Sequence, residues 1–254
     1  MAQHRRKDMI LKIITRDGYA SIDDLVDAFG VTPQTIRRDL NQLAELKLID
    51  RHHGGAGVLS STQNTAYTAR QEHASDAKRV IARMLSDLIP DGASLFINIG
   101  TTTEAVAKEL LTKNGLRVVT NNLHVASILS EREDFKVIVT GGEVRHRDGG
   151  IIGEATVDVV RQFHMDFAVI GVSGITEDGT LLDFDYREVK VAQAIMQNSQ
   201  QVLLCADNSK FGRSAMVRLG SMNQINHLFT NESPSSPFIE AINLADAKLH
   251  TPKA

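Results

Sequence analysis

Two sets of residues in this chain have the types and spacing that recognition chemistry requires. The first is compact. In VTPQTIRRDLNQL, residues 31–43, Ile36, Leu40 and Leu43 recur at i, i+4 and i+7 and make one apolar stripe. At about 100° per residue, the opposite face carries Gln34, Arg38 and Asn41, flanked by Thr35, Arg37 and Gln42. Gln, Asn and Arg can make two hydrogen bonds to a base edge or grip a phosphate. Thr32 is placed to cap this helix, and Pro33 sits in the first turn, where no amide donor is needed.

The second set is dispersed. NIGTTTEA (98–105) brings Gly100, Thr101, Thr102 and Thr103 to a helix start. TNN brings Asn121 and Asn122, TGG brings Gly141 and Gly142, and GVSG brings Gly171 and Ser173. ADNSKFG brings Asp207, Ser209 and Lys210. Each of these loops follows an apolar run. Outward amides, hydroxyls and a helix N-terminus favour an anion. Asp183, Asp185 and Asp207 are able to accept hydroxyl hydrogens. Together they suit a small phosphorylated polyol or sugar. His52 and His53 are too close together, and too short of other ligands, for a metal site. No cofactor is called for.

These residues need elements to hold them. Met9, Ile10, Ile13 and Ile14 predict a first helix over about 4–16, ended by Gly18. Ser21 caps a second helix, with Asp24 three residues on, and Ile22, Leu25, Val26 and Phe29 face inward. Gly30 turns the chain into the 31–43 helix, which completes a helix-turn-helix. RHHGGA (51–56) reads as a short strand running into a Gly-Gly turn. As the wing of a winged helix it would bring Arg51, His52, His53 and Gly54 to a sugar-phosphate backbone. The polar tract 60–65 reads as a hinge within a linker over 58–75.

From residue 76 the pattern changes. Strands are predicted at 94–100, 117–120, 136–140, 167–171, 201–206 and 227–230. Helices are predicted near 78–88, 104–111, 123–130, 155–162, 187–198 and 237–243. This alternation means an α/β domain with a largely parallel sheet over 76–254, behind an N-terminal winged helix-turn-helix over 1–57. In such sheets, ligands bind at the carboxyl ends of the strands, where the five polar loops fall.

Composition sets limits on function. The chain has 254 residues, 42% hydrophobic and 23% charged, which is ordinary for a globular protein. Its net charge of −3 argues against indiscriminate coating of nucleic acid. Arg5, Arg6, Lys7, Lys12 and Arg16 against Asp8 alone make a basic patch at one end, as a module meeting phosphate there requires. No apolar run approaches the roughly 18 residues of a membrane span. The start, MAQHRRKD, has no apolar core behind it and does not read as a secretory signal. Cys205 is the only cysteine, so no internal disulfide can form, and a cytoplasmic location is expected.

The run from Gly18 through VTPQTIRRDLNQL to RHHGGA resembles the DNA-binding domain of the DeoR family of bacterial repressors. The resemblance implies that Gln34, Thr35, Arg37 and Arg38 lie at the DNA and that 51–55 belong to the wing. The second domain resembles the family's sugar-phosphate sensor domain, similar in fold to ribose-5-phosphate isomerase, until about Asn231. RHHGGA, SLFINIGTTTEAVA, VVTNNLHVA, GGIIGEATVD, LLDFDYREV and SKFG are particularly similar to glycerol 3-phosphate-responsive members. That implies double-stranded operator DNA and glycerol 3-phosphate as partners, the second weakening the hold on the first. It also implies a homodimer or homotetramer. Two alternatives stay open. Asp183, Asp185, Glu188 and Lys210 are groups able to move protons, as in a sugar-phosphate isomerase, although an isomerase has no use for a DNA reader. The other alternative is a DNA-binding protein whose second domain only assembles the oligomer.

Overall fold

Short amphipathic segments at the N-terminus build a head of three helices and a small sheet. The computed structural model describes residues 2–17, 19–46, 48–52, 54–57, 67 and 75–252. Gly18, His53 and the hinge tract 60–65 therefore lie outside the described residues. Helix α1 spans Ala2–Asp17, strand β1 Tyr19–Ser21, helix α2 Ile22–Phe29 and helix α3 Pro33–Glu45. Strands β2 (Asp50–His52) and β3 (Gly55–Gly57) follow, and the sheet order is β1-β3-β2.

The helix boundaries have local causes. The Asp24 amide donates to Ser21 Oγ at 3.0 Å and the Ser21 amide to Asp24 Oδ2 at 3.4 Å, a complete capping box. Gly30, at φ 61°, ends α2 and donates its amide to the Val26 carbonyl. Thr32 Oγ1 accepts from the Thr35 amide at 3.3 Å, with Pro33 opening α3. Ile10, Ile14, Leu25, Ile36, Leu40 and Ile49 are buried together. Each such side chain stabilises the head by about 1.5–3 kcal/mol relative to exposure. Beneath α3, Asp39 is fully buried and Arg6 Nε reaches its carboxylate at 2.5 Å. Arg6, counted in the basic patch by sequence, thus answers an internal charge. Strand β1 was not anticipated, because three residues are too few to show a period. It forms against the wing because Gly55 has no side chain to collide with the Tyr19 phenol and the Ala20 carbonyl.

The second unit opens with helix α4 (Ser75–Leu88), strand β4 (Ser94–Ile97), helix α5 (Thr101–Leu110) and strand β5 (Arg117–Thr120). Helix α6 (Leu123–Leu129), strands β6 (Lys136–Val139), β7 (Glu143–Val144) and β8 (Ile151–Ile152), and helix α7 (Glu154–Val160) come next. Strands β9 (Met165–Gly171), β10 (Gly174–Ile175) and β11 (Thr180–Asp183), helix α8 (Tyr186–Gln197) and strand β12 (Ser199–Cys205) follow. The described chain closes with β13 (Val217–Ser221), β14 (His227–Phe229), helix α9 (Ser236–Leu244) and β15 (Lys248–His250).

The main sheet is parallel throughout, with order β15-β14-β12-β9-β4-β5-β6. Helices cover both faces of its central strands, which is why those strands are apolar on both sides, while edge strand β6 is largely exposed. One apolar cluster joins β9 and β12 to α8 and α9, and another joins β4 and β5 to α4, α5 and α6. All six predicted strands and six predicted helices of this domain are present within a few residues. The sequence did not announce β15, nor the antiparallel additions β10-β11-β13 and β7-β8. Those strands are two to five residues long, too short to show a period. The strand order reverses between β4 and β9. From β4 the chain steps outward through β5 and β6; from β9 it steps outward through β12, β14 and β15. A crevice opens at such a reversal, outside the carboxyl ends of the two strands.

Candidate functional site

The head presents α3 by its exposed face. Gln34, Arg37, Arg38 and Asn41 are exposed, while Ile36, Leu40 and Leu43 are buried. Thr32 and Thr35 have a local task as well, since their hydroxyls meet at 3.0 Å at the helix start. Asn41 and Arg51 are linked: Arg51 Nε donates to Asn41 Oδ1 at 3.0 Å, and its Nη1 donates to the Gly55 carbonyl. One guanidinium therefore fastens α3 to the wing and sets the angle between the helix and the β2–β3 turn. Burial lowers the Arg51 pKa from its ordinary value. His52 lies in β2, and Gly54 makes the turn at φ 82°.

A cleft lies at the crevice between β4 and β9. It is narrow and lined by Gly100, Thr101 and Thr102 after β4, and by Gly171, Val172 and Ser173 after β9. Asp183, Glu188, Lys210 and Arg213 complete its polar wall. Gly100 turns the chain at φ 152°, and no side chain caps the start of α5. Amides at that helix end are thus left to bind a ligand or water. Thr103 is turned away, its hydroxyl held by the Asn98 and Gly100 carbonyls at 2.7 Å each. Ser173 Oγ donates to Asp183 Oδ1 at 3.0 Å, and the Phe184 amide donates to the same oxygen at 2.7 Å. Arg213 is buried, with its guanidinium 5.1 Å from the Phe184 ring and its Nη1 3.4 Å from the Ser173 carbonyl. Lys210 Nζ stands 3.7 Å from Asp207 Oδ2. Two cations, a helix N-terminus and a few hydroxyls in a small cleft can hold a phosphate at one end and hydroxyls at the other.

Of the residues singled out by sequence, Gly100, Thr101, Thr102, Gly171, Ser173, Asp183 and Lys210 line this cleft. The others build its surroundings. Asn121 Nδ2 donates to the Ile151 carbonyl, and Asn122 caps α6. Gly142 leaves room for the Ile152 carbonyl, which a Cβ there would approach to 2.8 Å; Gly141 offers its carbonyl to Thr156. Asp207 caps the short turn that carries Ser209 and Lys210. Asp185 caps α8 and accepts from Arg145 Nη1 at 2.9 Å. Burial pushes its carboxyl up, but the Arg145 bond outweighs this and holds it below the usual range. Arg213 escaped the sequence reading, although it stands three residues past Lys210 at the end of SKFG. Ile99, Val172 and Cys205 escaped it too, since nothing in an apolar strand marks the residue that faces a ligand. A wider groove between α7 and α8, lined by Glu154, Asp158, Arg161, Arg187 and Lys190, carries exposed charges of both signs rather than convergent buried donors. Among the described residues, no group of three or more His, Cys, Asp or Glu is arranged to hold a metal ion, and no helix is long and apolar enough to cross a membrane.

Comparison with known proteins accords with this division. Residues 6–62 match the DeoR-like helix-turn-helix domain, and residues 73–232 match the DeoR C-terminal sensor domain. The glycerol-3-phosphate regulon repressor of Escherichia coli is 52% identical over 234 residues, covering 92% of this chain and 93% of that one. Its counterpart in Haemophilus influenzae is 53% identical over 234 residues, covering 92% and 91%. The HTH-type transcriptional repressor CsqR of Escherichia coli is 44% identical over 229 residues, covering 90% and 88%. With both of its domains matched and identity above half across most of its length, the chain belongs to the DeoR family of DNA-binding regulators with a sensor domain.

Proposed function

We propose that this protein is a transcriptional repressor of glycerol 3-phosphate metabolism genes, and that glycerol 3-phosphate in the β4–β9 cleft lowers its affinity for operator DNA. It acts in the cytoplasm as a homodimer or homotetramer. The observation that carries the reading is the pairing of Lys210 and Arg213 with the uncapped start of α5 in one cleft. The acceptors at Asp183 and Glu188 beside those cations suit the hydroxyls of a short phosphorylated polyol. The names of the relatives supply the choice of effector.

An isomerase reading is weaker. Glu188 Oε2 lies 2.7 Å from Arg145, Asp185 is held by the same guanidinium, and Asp183 accepts from Ser173 and Phe184. Of these, Asp185 is held below the usual carboxylate range by Arg145, which suits a structural anion rather than a proton shuttle near neutral pH. The effector can act only by differential affinity for two conformations. A tenfold loss of operator affinity needs about 1.4 kcal/mol of coupling, and operator must weaken effector binding by the same factor. The test is effector titrated into free protein and into the protein–operator complex. A higher dissociation constant in the complex is expected. Equal constants remove glycerol 3-phosphate as inducer, and a response to a hexose phosphate instead moves the protein to another effector class within the family. Turnover of sugar phosphates would replace the regulator reading with an enzymatic one.

A further inference from the structure

Among the described residues, contacts at Tyr67 and at Gly54 join the linker and the head to the second domain, and both reach segments that lead into the β4–β9 cleft. The first is Tyr67, the one described residue between 58 and 74. Its hydroxyl donates to Glu104 Oε2 at 2.9 Å, and its ring stacks on His124 with centroids 5.3 Å apart and planes 12° from parallel. Glu104 is buried in the first turn of α5, where its amide bonds the carbonyl of Gly100 in the cleft wall. Its other oxygen accepts from Asn122 Nδ2 at 3.2 Å. The second contact is at the wing. Gly54 passes so close to Asn208 that a Cβ there would stand 3.3 Å from Asn208 Nδ2. Asn208 is itself fixed, its amide donating to Asn231 Oδ1 and its Nδ2 to Glu232 Oε2. A tight turn carries the backbone on to the cleft: the Lys210 amide bonds the Asp207 carbonyl, and the Arg213 amide bonds the Lys210 carbonyl. Buried Tyr19, behind the wing, belongs to the same junction: a Cβ on Gly54 would stand 4.0 Å from its hydroxyl as well.

We propose that the effector is read out at these two fastenings, Tyr67 on Glu104 and the wing against Asn208, because Glu104 is one hydrogen bond from Gly100 in the cleft wall and Asn208 stands two residues before Lys210 in the turn that leads into it. This rests on the cleft being the effector site. A ligand drawn between the α5 start and the Lys210–Arg213 turn selects one spacing of those two loops. Each loop holds one fastening, so that spacing also selects a position for the DNA-binding head. No long relay through the sheet is required. Neither Tyr67 nor Asn208 lines the cleft, so removing them separates reading out from binding.

The experiment uses the full chain with Tyr67→Phe, Asn208→Ala and both together, at fixed salt. Glycerol 3-phosphate binding to free protein is measured by calorimetry, and operator affinity is measured with and without saturating effector. Effector affinity is expected to stay within about twofold of the unsubstituted chain. The operator response to effector should shrink by at least about fivefold in the double variant, with each single variant between. A second measurement needs neither substitution. The chain has three tyrosines and no tryptophan, so Tyr186→Phe leaves Tyr19 and Tyr67, both at the junction, as the reporters of intrinsic emission. Their emission should change as effector is added. A full operator response in the double variant, or an unchanged emission at saturating effector, overturns the proposal and leaves the effector reading intact. An unsubstituted chain that binds no effector overturns both.

Discussion

The α3 face and the sensor cleft use cations in opposite ways. Arg37 and Arg38 stand exposed on a helix whose other side is packed, and the fold does not need them. Arg213 is buried over the Phe184 ring, and Lys210 is largely covered beside Asp207. The first arrangement suits a partner that arrives with its own dense negative charge and surrenders counterions on contact. The second suits a small anion that must be held away from water, where each hydrogen bond to a charge counts for more. Arg6 shows that the two uses cannot be told apart by counting charge along the chain. It belongs to the basic N-terminus, yet it serves Asp39 inside the head.

That contrast breaks most visibly at Arg6. Arg6→Met removes one counter-charge of a carboxylate with no solvent exposure, and the head should lose stability, by up to about 3–5 kcal/mol. The sensor domain should keep its own transition, so thermal unfolding is expected to split in two, with operator binding lost and effector binding kept. A single unshifted transition would place Arg6 with the exposed cations.

Next comes Arg213. Arg213→Met keeps much of the apolar stem over Phe184 and deletes the charge facing the cleft. Effector affinity should fall by about 10- to 100-fold, as expected for a charged hydrogen bond of about 1.5–3 kcal/mol. Operator affinity without effector should hardly move. Unchanged effector affinity would shift the phosphate toward the α5 start, where Thr102→Glu is the companion test: the added carboxylate should repel the phosphate and abolish the response.

Arg38 sharpens the other side of the comparison. Arg38→Ala should weaken operator binding by about 1–3 kcal/mol and relax preference at one position if the contact is to a base. If the contact is to phosphate, all sequences should weaken together and the salt slope should drop by about one. Unchanged affinity at fixed salt removes Arg38 from the interface.

How legible these sites were follows from the same division. The α3 face could be read because exposure follows from helical period alone: once Ile36, Leu40 and Leu43 are inside, Gln34, Arg38 and Asn41 are outside. The parallel sheet could be read because strands covered on both faces are continuous apolar runs. The cleft was legible as a set of strand ends but not as a membership. Five similar loops looked equivalent, and only the strand order shows that the loops after β4 and β9 flank the reversal, while Asn121, Asn122, Gly141 and Gly142 lie to one side. Arg213 and Asp185 were misweighed for one reason. A charged side chain is assigned by its tertiary partner, here Phe184 for one and Arg145 for the other, and no local spacing records that partner. The junction at Tyr67 and Asn208 was invisible on the same ground.

The smallest effect is expected at Asn41, and it tests where recognition ends and support begins. By spacing, Asn41 shares the exposed face with Gln34 and Arg38. Its carboxamide oxygen, however, already accepts from Arg51 Nε, and Arg51 also holds the Gly55 carbonyl. A side chain engaged in that way orients the wing against α3 before any base is met. Asn41→Ala should therefore loosen that angle and cost operator binding about 0.5–1 kcal/mol, the low end for a single exposed hydrogen bond. The loss should be the same across a panel of operators substituted one position at a time, because a misplaced wing weakens backbone contacts rather than one base contact. Arg51→Ala should repeat that uniform pattern with a larger loss, since it removes both bonds. A loss confined to one base position in the Asn41→Ala panel would mean that its carboxamide leaves Arg51 and reads that base, which would put Asn41 with Arg38 among the residues that specify sequence.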